Sequence, residues 1–203
     1  MKKQSVEALY DQGRRYLQGD GVVFSYEQGT EYLKKAADLG HAKAQYNLAV
    51  CLHLGTGIKQ SYEEAYKYFQ LASNQGLSRA HYMLGGYFIF GFTFPPIEEQ
   101  AVHYFRLAAE AGIADAQYDL GVLLLLGKGV MRSEEEAARY FELAARQGNA
   151  EAQYNLGICY YQGLGVPISH EEAIRYLEMA VKQSLPKASK ALEHVMMNSF
   201  QEV

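Results

Sequence analysis

Residues Ala152–Gly157 read AQYNLG. The same word, lightly altered, stands at Ala116–Gly121 as AQYDLG and at Ala44–Ala49 as AQYNLA. The separations are 36 and 72 residues. Self-similarity at a fixed period marks a repeat architecture, in which each copy is one supersecondary unit. Working outward from the word divides the chain into blocks 5–40, 41–76, 77–112, 113–148 and 149–184 without insertions, with residues 185–203 beginning a sixth. The fourth position is Ala8, Ala44, Ala80, Ala116, Ala152 and Ala188, and the sixth is Tyr10, Tyr46, Tyr82, Tyr118 and Tyr154. A second tyrosine column, Tyr32, Tyr68, Tyr104, Tyr140 and Tyr176, falls at the twenty-eighth position.

Each block reads as two helices. The first runs from about the second to the fourteenth position, with small and apolar residues at helical spacing. Gly-x-Gly follows, as in Gly55-Thr56-Gly57 and Gly163-Leu164-Gly165, and glycine there can take the left-handed conformation that closes a helix. Ser61 to Glu64, Ser133 to Glu136 and Ser169 to Glu172 then match the Ser-x-x-Glu capping box, and Ser25 to Gln28 matches its Gln form. A lone pair cannot bury its apolar face, so neighbouring pairs must stack. The fold expected is all-α, five 36-residue helix-turn-helix repeats in one domain over 1–203, with a capping helix over 185–203.

The spacing and the words Ala-x-Ala-Gln-Tyr-x-Leu-Gly, Gly-x-Gly-Val and the closing Lys/Leu-Ala-Ala with Gly resemble the Sel-1-like repeat family, relatives of the tetratricopeptide repeats. The resemblance covers residues 5–184. It implies a right-handed α-α superhelix that works as a protein-binding scaffold or adaptor, in bacterial signalling, envelope or host-interaction systems or in eukaryotic protein degradation.

Composition fits. Of 203 residues, 49% are hydrophobic and 21% charged, as in a soluble globular chain. A net charge of −4 gives no overall electrostatic footprint for nucleic acid. No apolar run reaches the roughly 18 residues that cross a bilayer, so no membrane insertion is expected. Two cysteines make no disulfide framework and favour a reducing compartment. A cytoplasmic location is expected, with a secreted or translocated effector, or a periplasmic protein after loss of a signal peptide, as alternatives.

Chemistry-bearing residues do not converge. The six histidines occupy six different repeat positions. Cys51 and Cys159 share a position three blocks apart, on the order of 30 Å at ordinary helix spacing. The clusters Glu63-Glu64, Glu98-Glu99, Glu134-Glu135-Glu136 and Glu171-Glu172 sit where second helices begin, and negative charge suits a helix N-terminus. No catalytic residue, metal ligand or cofactor is assigned, and the chain reads as non-enzymatic. A small hydrolase or metal site on the repeats, or a self-associating spacer with residues 185–203 in a neighbour's groove, are the alternatives to a monomeric adaptor.

A helical wheel places a partner. The third, seventh, tenth and fourteenth positions of the first helix turn away from the core side, and by analogy with tetratricopeptide stacks they line a concave groove. Asn47, Met83, Asp119 and Asn155 come from the seventh position. Arg14, Val50, Val122 and Ile158 come from the tenth, and Leu54, Phe90 and Leu126 from the fourteenth. The apolar members form a strip of the kind that marks a contact surface, unless helix packing buries the tenth and fourteenth positions. Lys43 and Arg79, from the third position, make one end basic with Arg14; Asp119 makes the other acidic. The partner expected is a protein or peptide segment with an apolar middle and an acidic end. Phe90-Gly91-Phe92-Thr93-Phe94-Pro95-Pro96 replaces the usual turn in block three and reads either as a differently packed turn or as a binding loop.

Overall fold

The computed structural model describes residues 5–199. Among these residues the helices are α1 (Val6–Gln18), α2 (Tyr26–Asp38), α3 (Ala42–Leu54), α4 (Tyr62–Asn74), α5 (Ser78–Phe90), α6 (Glu98–Glu110), α7 (Ala114–Leu126), α8 (Glu134–Arg146), α9 (Ala150–Gln162), α10 (His170–Lys182) and α11 (Pro186–Ser199). No strand occurs among the described residues. The expected cap over 185–203 is α11, and residues 200–203 of that expectation lie outside the described part. The chain forms two compact units, Met1–Ile97 with α1–α5 and Glu98–Val203 with α6–α11. The boundary follows the Phe-rich turn of the third block.

Helix limits follow from local chemistry. The first helices of all five blocks stop at Gly19, Gly55, Gly91, Gly127 and Gly163, all with φ between 67° and 73°. Four second helices start at Ser25, Ser61, Ser133 and Ser169, whose hydroxyls accept the N–H three residues on at 3.2 Å. The third block has no serine at this point, and α6 begins without that bond.

Within a pair, a small residue on the first helix receives a large one from the second. Gly13 lies under Leu33, Gly121 under Phe141 and Gly157 under Leu177. A Cβ on Gly121 would stand 2.7 Å from the Phe141 ring, so these helices touch nearly backbone to side chain. Leu33, Phe69, Phe141 and Leu177 are all 0% exposed. Burial of such side chains is worth roughly 1.5–3 kcal/mol each.

Successive pairs are joined by glutamines. Gln45, Gln117 and Gln153, the Gln of each AQY word, are at most 4% exposed. Their Nε2 atoms donate to the Ala37, Ala109 and Ala145 carbonyls, near the end of the preceding second helix, at 3.1–3.2 Å. Their Oε1 atoms accept from Gln75, Gln147 and Gln183 at 2.7–2.8 Å. Gln75 and Gln183 also donate to the Gly40 and Gly148 carbonyls. A carbonyl left unbonded at a buried helix end would cost about 1–3 kcal/mol. In the third block the pattern changes as a set: His81 replaces Gln, and its Nδ1 lies 2.8 Å from the Ser73 hydroxyl.

At Gly57, Gly129 and Gly165 the second glycine of Gly-x-Gly lets the turn press on the start of the second helix of the block before it. Gly165 has φ 70°, and a Cβ there would lie 2.1 Å from the Glu134 carbonyl oxygen. Gly148, with φ 89°, has open space around it.

Two stability results follow. Gly148→Ala should cost about 1 kcal/mol, the backbone term alone, whereas Gly165→Ala should cost at least about 2 kcal/mol because a main-chain clash is added. Urea titration of both variants checks this, and equal losses would contradict the packing described. Gln153→Leu should cost about 1–3 kcal/mol, and a cycle with Gln183→Leu should give a coupling of about 0.5–1.5 kcal/mol. Simple additivity in that cycle would remove the glutamine bridge as a joint.

Candidate functional site

In the first unit, α3 and α5 lie side by side. The ring Nδ1 of His53 is 2.9 Å from the Tyr87 hydroxyl, and Tyr46 feels the charge of Arg79. Lys43, Asn47, Val50 and Leu54 follow one face of α3, and Arg79, Met83, Gly86 and Phe90 follow the matching face of α5. Leu54 and Phe90 are 63% and 71% exposed. Lys43 and Arg79 are exposed, whereas Asn47, Val50 and Met83 are half-buried. Arg14, on α1, is exposed and stands 5.8 Å from the Tyr10 ring.

The third-position charges divide into paired and unpaired. Glu7 meets His41 at 3.0 Å, Asp115 accepts from Asn149 at 3.0 Å, and Glu151 meets Lys187 at 2.5 Å. Lys43 and Arg79 make no ion pair among the described residues.

In the second unit, Leu126 is exposed and Val122, Asp119 and Asn155 are half-buried. Burial pushes the Tyr118 phenol up, Glu151 adds to that, and Lys187 and a bond to Asn155 pull it back. Ile158 packs against the core formed by Ala173, Leu177 and Val195. Val195 belongs to α11, so this member of the expected strip is engaged with the cap. Sequence reasoning missed Lys187, which neutralises Glu151 and lies 4.4 Å from the centre of the Tyr154 ring. Its signal was available: Lys187 holds the third position of the incomplete sixth block.

The Phe-rich turn packs back on its own unit. Phe92 contacts His53, Tyr62 and Tyr87, and Phe94 contacts Tyr66 and Phe88, with ring centres 4.8–5.3 Å apart. Of the two readings, the differently packed turn describes Phe92 and Phe94; Phe90 stays outward. The Thr93 hydroxyl, at a position that is glycine in the other blocks, is buried with no partner among the described residues.

Clefts that sequence reasoning did not anticipate lie along the second helices. One of about 550 Å³ is walled by Lys34, Asp38, Glu64, Lys67, Tyr68 and Leu71 of α2 and α4. Another of about 510 Å³ is lined by Glu136, Arg139 and Glu142 of α8, Tyr160 of α9, and Gly165 and Val166 of the turn that follows α9. Part of this charge is spent internally: the Tyr68 hydroxyl donates to Asp38 at 2.7 Å, and Arg146 pairs with Glu142 at 2.5 Å. The glutamate clusters occupy the first turns of α4, α6, α8 and α10. Burial pushes both cysteine thiols up, Cys159 to about 11, which keeps it protonated and unreactive. No group of three or more His, Cys, Asp or Glu among the described residues could hold a metal ion. No helix among them is long and apolar enough to cross a membrane.

His53 gives the first unit a pH response. Burial holds its pKa below the ordinary value of 6.5, so the folded state binds fewer protons than the unfolded state in that range. The stabilisation is complete above about pH 6.5 and is lost as pH falls through the lowered folded value. Urea midpoints of the wild type should therefore drop on acidification from pH 7 toward pH 5, and His53→Gln should remove part of that drop. An unchanged pH slope in the variant would assign the acid response elsewhere.

The family model described as Sel1 repeat matches at 6–41, 42–77, 78–113, 114–149 and 150–185, one residue later in phase than the blocks read above. No curated protein matches. Among solved structures, c5321, a protective antigen present in uropathogenic Escherichia coli strains and displaying an SLR fold, is 29% identical with a TM-score of 0.91, over 96% of this chain and 42% of that one. The chain thus spans less than half the length of c5321. A Sel1 repeat protein from Oxalobacter formigenes is 31% identical with a TM-score of 0.84, over 93% of this chain and 75% of that one. The immunity protein Pa5087 from Pseudomonas aeruginosa, 24% identical with a TM-score of 0.55 over 93% of this chain and 69% of that one, is alike in fold alone. Sel1 repeats generally mediate protein–protein interaction, and their scaffolds are typically non-enzymatic. Five matched repeats, all-α helix pairs and these neighbours agree, and the chain belongs to the Sel1 repeat family, with its all-α repeat-superhelix fold.

Proposed function

We propose that this protein is a non-enzymatic adaptor that grips a segment of another protein along the outward faces of its first helices. The observation that carries the reading is the α3–α5 face, where Leu54 and Phe90 stand 63% and 71% exposed at one end and the unpaired Lys43 and Arg79 stand at the other. Large apolar side chains held in water by rigid helices favour a partner that covers them. The proposal includes a monomeric state and excludes nucleic acid, in keeping with a net charge of −4. A cytoplasmic place in bacterial signalling is one setting for it. The likeness to c5321, itself a protective antigen, supports host interaction as another.

The test is affinity capture with the full chain, read by mass spectrometry. Wild type is compared with Leu54→Glu/Phe90→Glu and with a control, Leu143→Glu, on the exposed side of α8. All three should keep their helical circular dichroism, since these positions are exposed. A partner held by wild type and control and lost by the double variant is the expected result. A partner retained by the double variant would move binding to another face.

A further inference from the structure

We infer that the α3–α5 face takes an acidic peptide segment of a protein partner, with one large apolar side chain of that segment seated over Gly86. This rests on the reading of that face given above and adds the chemistry of the occupant.

Gly86 is a glycine that the packing of the chain does not require. Four other helical glycines, Gly13, Gly29, Gly121 and Gly157, have neighbours that leave a side chain tight or no room. A Cβ on them would stand 3.1, 2.5, 2.7 and 2.8 Å from Leu33, Leu17, Phe141 and Leu177. A Cβ on Gly86 would meet nothing nearer than the Phe90 ring at 3.9 Å, which is ordinary contact. Gly86 lies inside α5, where glycine is less favourable than alanine. A helical glycine that is open on its outer side lowers the surface locally and lets a ligand approach the backbone. The same position on the other first helices is Arg14, Val50, Val122 and Ile158. The notch is therefore particular to the third block, between half-buried Met83 and exposed Phe90 along α5.

Charge fixes the class of occupant. Glu7, Asp115 and Glu151 of the third-position row all have partners, but Lys43 and Arg79, on adjacent helices, have no ion pair among the described residues. Two exposed, uncompensated cations at one end of a face that is otherwise apolar apart from Asn47 favour an anionic partner. Gly86 is seven residues beyond Arg79, about 10 Å along the helix. An extended peptide covers that distance in about three residues. The segment that fits carries acidic residues and, three positions away, a side chain such as Phe or Leu.

The probes are fluorescein-labelled, end-capped heptapeptides with an acidic pair followed three residues on by Phe, with Ala in place of Phe, or with lysines in place of the acids. Anisotropy with the full chain should show the acidic Phe peptide binding at least about tenfold tighter than either control. Gly86→Leu should abolish that preference while helicity is retained. Gly86→Ala should weaken it while raising the thermal midpoint by about 2–4 °C, a split that a purely structural glycine would not give. Lys43→Glu/Arg79→Glu should transfer preference to the lysine peptide. Equal binding of the three peptides, no binding of the acidic Phe peptide, or an unchanged preference in Gly86→Leu would overturn the inference. If the peptides are not distinguished while Leu54→Glu/Phe90→Glu still loses the captured partner, the face stands and the acidic, apolar occupant falls. If that variant also keeps the partner, both readings fall.

Discussion

The near-contact of the two helices in a pair constrains everything else in these repeats. Gly121 and Gly157 leave room for Phe141 and Leu177 to reach the first helix almost at its backbone. Interiors packed at this density tolerate little change in volume. Fixing the pair geometry also fixes where each turn emerges, and Gly165 then allows the turn to rest on the main chain at Glu134. In the third block a larger residue, Thr93, stands at that position, and the turn carries a cluster of phenylalanines.

The glutamine bridges solve a different problem. The end of a second helix leaves carbonyls without helical partners, and stacking would bury them dry. Gln45, Gln117 and Gln153 supply the missing donor and are themselves held by Gln75, Gln147 and Gln183. Because the first block has Leu9 and Leu39 at the two glutamine positions and the third has His81 and Ala111, the two members change together. Both members belong to one polar unit, and a half-satisfied unit is worse than none.

With core and joints assigned, the outward faces of the first helices carry the variation. The scaffold does not demand Lys43, Arg79, Leu54, Phe90 or Gly86, so their chemistry is open to recognition. The second-helix clefts are more self-satisfied, with Tyr68 bonded to Asp38 and Arg146 paired to Glu142. Lys187 shows that the same row can also serve the fold, since it closes on Glu151 and Tyr154 rather than facing outward as a free charge.

Periodicity, caps and glycine positions are local and recur in each block, so the 36-residue register, the helix limits and the Ser caps could be read from the chain alone. The αL turn at block ends could be read too, although Ser184 takes φ 61° where other blocks use glycine. A helical wheel could also separate the outward rows from the core. It could not tell that Ile158 is held against the α10–α11 core while Leu126 stands in water, because burial depends on which neighbour arrives. Nor could it tell that Phe92 and Phe94 fold onto His53, Tyr87 and Tyr66, or that Glu151 is paired and Arg79 is not. Sequence by itself determined the repeat, because hydrogen bonding and capping within a helix pair act over a few residues. Tertiary structure alone decided which charges and rings stay free for a partner, because those contacts join residues about one repeat apart.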